Sequence, residues 1–420
     1  MPWESATFSK ALHGGGANGF VDFVCARKRS LHLLHGQIEE GFFLAFGHGA
    51  FLLFTVDISI SLLYNNSVYY NLTIRERGLN MEKKIYGVVV IGCGHIGQEH
   101  LHDICFRDNI KVVATVDYNL ELAQLCAKKY SGGNHVECGT DYHQFINRDD
   151  VDIVIIATYA QTHFPILKDC IAAGKHVLCE KPIAPTYEEA QEFCRAVKES
   201  NIRVLIAYIL RHNTLYQKAG ELIRQGLIGD VRLIRMAQNH HILDRPRYMN
   251  LLTDCSPIVD CGVHYVDVIR WMTGLEIEEA VGHGAIIDPT IPEGTYDYGM
   301  IQMRLSNGGY AYYEASWSST IETQNLKEFV GTKGRMRLVL AENRGLFREE
   351  GNLIELFTVD GGRQEINVEG EYKDMYAQLS CLIDMIENGS EGNPTLEDAM
   401  IALRLVTDCD AMARKELNLT

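Results

Sequence analysis

The chain has 420 residues, 46% hydrophobic and 22% charged, an ordinary globular balance with length for two or three domains. Its 39 Lys and Arg against 55 Asp and Glu leave a formal charge of −16, so the basic footprint that nucleic-acid binding requires is missing. Twelve cysteines with no CxxC pair and no Cys/His ligand spacing speak against structural zinc and a secreted disulfide framework, and point to a reducing cytoplasm.

Composition shifts near Met81. Residues 1–80 hold eight of the fifteen Phe, and their basic and acidic residues cancel, so the whole of the −16 belongs to residues 81–420. The stretch 42–63 is strongly apolar and follows Arg27-Lys28-Arg29, as a membrane anchor would. Asp57, His48 and two glycines interrupt it, whereas a transmembrane helix wants ~20 clean apolar residues. A signal peptide would start nearer Met1 and end in small residues. Met81-Glu82-Lys83-Lys84, followed at once by an apolar strand, reads as the natural start of a protein. The codons of Glu76-Arg77-Gly78 can also contain a purine-rich ribosome-binding sequence. Residues 1–80 are therefore expected to be an upstream extension outside the folded protein, with no membrane association unless residues 42–63 are a real anchor.

Tyr86 to Ile91 is a continuous apolar run, as a buried parallel strand should be, and it leads into Gly92-Cys93-Gly94-His95-Ile96-Gly97. A strand, a GxGxxG turn and a helical pattern from Gln98 to Cys105 make a dinucleotide-binding opening. Gly92 permits the tight turn, Gly94 lets the backbone approach a pyrophosphate, and Gly97 lets the helix pack on the strand. The free N–H groups and dipole of the helix start then favour phosphate, with His95 and Ile96 beside it. A second strand, Lys111 to Val116, ends in Asp117, twenty residues after Gly97. There a carboxylate would accept from the adenosine ribose hydroxyls and repel a 2′-phosphate, so NAD is expected in preference to NADP.

The alternation continues with a helix over 120–129, a strand over 151–157, a helix over 163–173 and a strand over 176–179. A helix over 187–200 and a strand over 204–208 complete it. This pattern predicts a doubly wound parallel sheet, with ligands at the carboxyl ends of its strands.

Gly174-Lys175-His176-Val177-Leu178-Cys179-Glu180-Lys181-Pro182 resembles the GKHVxxEKP signature of the Gfo/Idh/MocA oxidoreductases. Asp260-Cys261-Gly262-Val263-His264-Tyr265-Val266-Asp267 resembles that family's DxGxHxxD element. Gly331-Thr332-Lys333-Gly334 resembles its GTKG turn, and 371–386 and 395–404 resemble its closing helices. The resemblance runs from Met81 nearly to the C-terminus. It implies an N-terminal Rossmann domain, 81–208, followed by an α+β domain, 209–420, with a large, mostly antiparallel open sheet. It also implies that Lys181 faces nicotinamide and substrate, and that Asp260 and His264 belong to the substrate site. Glu180 joins the cofactor set. A T-P-N-x-x-H segment of the family survives here only as Thr158 and His163.

Spacing supports the catalytic pair independently, because residues i and i+4 share one helix face. Alcohol oxidation requires a group to take the hydroxyl proton, and His264 titrates in the right range. Asp260 can hold substrate or imidazole, and Lys181 can stabilise a developing alkoxide. Asp267 is read as a helix-surface or subunit-contact residue.

Beyond Leu210 the pattern becomes α+β. The resemblance places substrate contacts near Arg211 and Tyr216. A strand over 231–238 runs into Asn239-His240-His241, followed by Arg245, Arg247 and Tyr248, which reads as a polar loop facing a polyhydroxy substrate, with Tyr265 nearby. No carboxylate stands at ligand spacing beside the histidines, so no metal is expected. Strands over 301–305, 310–316, 328–330, 336–340 and 353–358 suggest an antiparallel sheet with two bulky faces. One of these is expected to meet a second copy in a homodimer or homotetramer.

The leading expectation is an NAD-dependent dehydrogenase of a cyclic polyol, sugar or sugar derivative. One alternative is redox-neutral elimination or epimerisation through transient oxidation by tightly held NAD. The other is a non-catalytic dinucleotide sensor, against which the presence of Lys181, Asp260 and His264 argues.

Overall fold

The structure, a computed structural model, describes residues 5–10, 21–26, 38–45, 51–63, 67–76, 84–240, 245–340, 351–370 and 373–419. The chain divides into two units, Met1–Lys83 and Lys84–Thr420. In the first, β1 (Ser5–Lys10) pairs antiparallel with β2 (Val21–Ala26). The strands β3 (Ile38–Ala45), β4 (Phe51–Leu63) and β5 (Ser67–Glu76) form a separate antiparallel sheet. Of the apolar stretch considered as an anchor, residues 42–45 lie on β3 and 51–63 on β4, while 46–50 lie outside the described residues. Among the described residues, no helix is long and apolar enough to cross a membrane.

The second unit opens with a six-stranded parallel sheet. Its elements are β6 (Tyr86–Ile91), α1 (His95–Ile104), β7 (Ile110–Val116), α2 (Leu120–Lys129), β8 (Glu137–Gly139), α3 (His143–Ile146), β9 (Ile153–Ile156), α4 (Ala160–Ala172), β10 (His176–Cys179), α5 (Tyr187–Lys198) and β11 (Val204–Ile206). The strand order is β11-β10-β9-β6-β7-β8. Val88 to Val90 and Ile153 to Ile156 are wholly buried, as strands covered on both faces must be. The helices start where the sequence supplies acceptors for their free N–H groups: Asn119 caps α2 and Thr186 caps α5. The three-residue β8, Glu137-Cys138-Gly139, has no apolar run and went unanticipated.

A single 3-10 turn, Ile209–His212, leads to α6 (Thr214–Arg224), β12 (Val231–Asn239), α7 (Arg245–Asp254) and α8 (Pro257–Thr273). Arg245, Arg247 and Tyr248 thus belong to a helix and not to the loop expected there. Helix α8 is bounded by a Ser256 cap, Pro257 in its first turn and left-handed Gly274 at its end. Then come β13 (Ile277–Ala285), β14 (Tyr298–Leu305), β15 (Tyr310–Ser316), β16 (Gln324–Gly331), β17 (Gly334–Val339), β18 (Asn352–Thr358) and β19 (Arg363–Val368). With β12 they form an eight-stranded sheet, order β13-β14-β15-β12-β16-β17-β18-β19, in which only β12 and β15 run parallel. The expected fold class, a Rossmann sheet followed by a mostly antiparallel one, is what the chain adopts.

One sheet face carries Ile234, Met236, Tyr313 and Phe329, and Tyr265 of α8 stacks on Tyr313 with ring centroids 4.9 Å apart. The other face carries Arg235, hydrogen-bonded to Tyr312 and ion-paired to Glu328 at 2.7 Å, and an exposed Tyr310.

Two helices close the chain, α9 (Met375–Asn388) and α10 (Leu396–Glu416). The buried side of α9 shares one apolar core with the Rossmann sheet: Leu379, Leu382, Ile383 and Met385 cluster with Tyr86, Val88, Val90, Ile153 and Ile155. Tyr86 donates to Glu387 at 2.9 Å, Tyr376 donates to Asn109 at 2.8 Å, and the Met375 N–H donates to Asp103 at 2.9 Å. The helices of residues 98–200 are therefore not the whole cover of the first sheet.

Candidate active site

The glycine turn is built as its spacing requires. Gly92 has φ +96°, and a Cβ there would stand 2.3 Å from the Ala157 carbonyl oxygen. A Cβ on Gly97 would stand 1.8 Å from the Gly92 oxygen, so any side chain would push α1 off the turn. A Cβ on Gly94 would meet nothing within 4 Å, which leaves room for a phosphate to approach the backbone. No side chain caps α1 and no acidic residue occupies its first turn. His95 is exposed there and Ile96 is half-buried. Burial first, and then the cations Lys373 and Arg247, lower the His95 pKa.

Asp117 stands at the end of β7, next to that turn. Its Oδ2 accepts the Cys93 N–H at 2.8 Å and its Oδ1 accepts the Asn119 N–H at 2.9 Å. Each oxygen keeps a second acceptor site, so the carboxylate can still serve a ribose. Tyr118 and Tyr159, at the ends of the two strands that flank β6, are both exposed.

His163 is fully buried and does not present a free nitrogen. Its Nδ1 lies 3.0 Å from the Pro182 oxygen and its Nε2 lies 3.1 Å from the Thr158 oxygen, so it ties the loop after β9 to the loop after β10. The Thr158 hydroxyl accepts from Thr162 at 2.7 Å. Glu180 is buried, with Oε1 2.8 Å from His100 Nε2 and Oε2 3.3 Å from the Lys181 N–H.

Lys181, Asp260 and His264 are brought together across the two halves of the unit. Lys181 Nζ lies 2.6 Å from Asp260 Oδ1 and 3.0 Å from the Asp260 carbonyl oxygen. Both side chains remain partly accessible, at 17% and 27%. Burial alone would lower the Lys181 pKa, but Asp260, Cys261 and Glu180 outweigh it and the net direction is up. Burial alone would raise the Asp260 pKa, but the Lys181 ammonium carries it down. The two are a stable ion pair. His264 projects from the same helix four residues on, its ring 5.7 Å from that of Tyr208. Burial, then Lys181 and Lys373, push its pKa down to about 3 against the opposing pull of Asp260. Nδ1 is buried without a hydrogen-bond partner. Asp260 was expected to hold imidazole or substrate, and in this structure it holds the lysine.

The other residues singled out from the sequence are engaged elsewhere. Arg211 makes a fork with Asp267 at 2.8 and 2.6 Å and adds Asp398 at 3.0 Å. Asp267 is 1% exposed, so it is a buried counter-ion and not a helix-surface or subunit-contact residue. Tyr265 is buried between α8 and the sheet, with its hydroxyl donating to Gln238. Asn239 Nδ2 donates to Glu314 at 3.2 Å, and its Oδ1 is buried without a partner. The His240 N–H donates to the Ser316 oxygen at 2.7 Å, and its ring meets Gln238 at 2.8 Å. His241 lies outside the described residues. Among the described residues, no group of three or more His, Cys, Asp or Glu is placed to hold a metal.

Two groups near the ion pair escaped sequence reasoning. Asp254, the last residue of α7, is exposed at its surface yet crowded by protein on one side, and that partial desolvation, then the Asp260 charge, pushes its carboxyl up to about 6, with Lys181 opposing. His100 lies on α1 beneath Glu180. No spacing rule links either residue to Lys181, so a single sequence carried no signal for them.

Comparison with known proteins places this geometry in context. A model described as an oxidoreductase family with an NAD-binding Rossmann fold matches residues 86–208, and one described as the GFO/IDH/MocA C-terminal domain matches 216–337. The myo-inositol 2-dehydrogenase of Thermotoga maritima is 24% identical over 320 residues, 75% of this chain and 92% of that one. Inositol 2-dehydrogenase 2 of Saccharopolyspora erythraea is 31% identical over 199 residues, 46% of this chain and 56% of that one. In structure, the aldose-aldose oxidoreductase of Caulobacter crescentus superposes with TM-score 0.67 at 22% identity, covering 79% of this chain and 98% of its own.

Proposed function

The chain belongs to the Gfo/Idh/MocA oxidoreductase family and is a dehydrogenase of CH–OH groups, and from that premise we propose that it transfers hydride between NAD and a carbon of a cyclic polyol, sugar or sugar derivative. The observation that carries this reading is the convergence of Lys181, Asp260 and His264 in a unit whose parallel sheet opens with a glycine turn and an uncapped helix start. The residues fit a dinucleotide. The open space over Gly94 suits a pyrophosphate, the Asp117 carboxylate suits the adenosine ribose, and Thr158, His163 and Glu180 shape the loops between. When bound, the nicotinamide supplies the hydride acceptor.

The chain's own residues then manage the proton. His264 is neutral at working pH and can accept it from the substrate hydroxyl. A nitrogen held this weakly basic needs an acidified hydroxyl, and the Lys181 ammonium, fixed by Asp260, supplies that by stabilising the alkoxide as it develops. NAD is preferred over NADP because Asp117 would repel a 2′-phosphate. The face carrying Arg235, Tyr312 and Tyr310 is read as the contact between copies in a homodimer or homotetramer. The eleven described cysteines are all free thiols, which supports a cytoplasmic setting. Residues 1–80 are read as an extension outside the enzyme.

The test is a panel of cyclic polyols, sugars and glycosides with NAD, followed by NADH absorbance. NADH formed with one class of polyol supports the dehydrogenase. Tight NAD binding with no turnover across the panel would overturn it in favour of a sensor.

A further inference from the structure

Helix α1 buries Gly97, His100, Leu101 and Ile104. Gly, Leu and Ile are ordinary there, but His100 is not. Its side chain is 0% exposed, yet only Nε2 has a partner, Glu180 Oε1 at 2.8 Å, while Nδ1 is buried with none. A carboxylate only accepts, so Nε2 carries the donated proton. A buried polar atom without a hydrogen bond costs stability that an apolar side chain would not. The one visible counterweight to that cost is the bond to Glu180. Glu180 in turn closes β10, and its second oxygen accepts the N–H of Lys181 at 3.3 Å. The Lys181 side chain extends from that backbone to Asp260. His100 sits on the helix that begins at the glycine turn. One imidazole therefore joins the phosphate-binding helix to the residue that carries the ammonium.

We propose that His100 is a positioning residue: by holding the Glu180 carboxylate it fixes the Lys181 backbone and couples dinucleotide binding at α1 to the placement of the Lys181 ammonium. The inference rests on the dehydrogenase reading above.

Gln, Asn and Leu substitutions separate the bond from the bulk, since Leu nearly keeps the volume of His but has no donor and should behave as Asn does. Gln places an amide N–H near the position of Nε2, whereas Asn reaches only to that of Nδ1. His100→Asn is expected to weaken NAD binding severalfold, measured by calorimetry without substrate. It should also lower kcat about tenfold or more with little change in the substrate KM, the size of effect expected for a lost charge-assisted hydrogen bond. His100→Gln should restore both to within about threefold, since it keeps the donor. Gln and Asn variants that behave alike, both normal or both impaired, overturn the proposal, and so does a His100→Leu that matches His100→Gln, because bulk and not the donor would then set the effect. If none of the variants folds, nitrogen NMR of the unmodified protein decides: a proton on His100 Nε2 that shifts on adding NAD supports the pairing, and one resident on Nδ1 overturns it. An unmodified protein that oxidises no polyol, yet loses NAD affinity in His100→Asn and regains it in His100→Gln, would sink the dehydrogenase reading and leave the positioning role standing.

Discussion

The depressed pKa of His264 makes a sharper statement about rate than its presence does. Because the active form is neutral and the folded pKa is about 3, protonation competes only in strong acid, far below the ordinary 6.5. The acid limb of kcat/KM is therefore expected well below pH 6.5. A limb centred near 6.5 would assign the proton to another group. His264→Ala should lower kcat by about 100-fold or more, the usual size of a general-base term. Lys181→Ala should do the same, and should also move the acid limb upward, since the ammonium that helps depress His264 is gone. Asp117→Ser is expected to narrow the preference for NAD and to weaken both cofactors, because Asp117 also holds the Cys93 N–H of the turn. Equal kcat/KM for NAD and NADP in the unmodified protein would contradict the ribose role. What could be read at this scale was local. The glycines and Asp117 lie within one strand–turn–helix–strand span, and Asp260 and His264 lie within one turn of helix. The Lys181–Asp260 pair spans 79 residues: family resemblance brought both residues to the site but not their contact. The Arg211–Asp267 fork spans 56 residues, and each partner taken alone looked like a surface or substrate group.

Among elements, those with a strong period were legible and those without were not. Strands β6, β7 and β10 and helix α2 announce themselves by apolar runs or a 3.6-residue pattern. The sequence of β8 has three ordinary residues and exists as a strand because the edge of β7 accepts it. Helix α7 was hidden by Arg, Pro and Asn at positions that usually mark a loop. Helix α9 was visible as a helix, but its destination was not, since an amphipathic face says that it packs and not where. Leu379 and Leu382 are wholly buried against the first sheet. Leu379→Ala should cost about 2–5 kcal/mol, the range for a buried Leu truncated in a well-packed core. The loss should appear as a lowered thermal midpoint together with weaker NAD binding. A midpoint drop with NAD affinity intact would mean that α9 stabilises only the second half.

On the scale of the whole chain, the expectation for residues 1–80 concerns a boundary. The second unit begins at Lys84 with its own central strand, and both of its sheets draw every strand from within 86–368. A protein starting at Met81 should therefore bind NAD and keep its thermal midpoint. One that aggregates, or melts many degrees lower, would make the extension a structural element. Between these limits the fold class was legible because two different periods, a βα alternation and then hairpins, succeed one another along the chain.

The return of α9 sets an order on synthesis. As the chain leaves the ribosome, β6 to β11 can pair once residue 206 is out, and α1 and α2 supply Leu101, Ile104, Ala123 and Cys126 to the core with Tyr86, Val88, Val90, Ile153 and Ile155, but the share that packs on Leu379, Leu382, Ile383 and Met385 waits until residues 379–385 emerge. For the length of the entire second sheet, the nascent protein carries an apolar patch that still awaits its last cover. The dinucleotide half, although it precedes the second sheet in sequence, is among the last parts to be finished, and a ribosome that stalls before α9 releases a chain whose cofactor domain lacks part of its core.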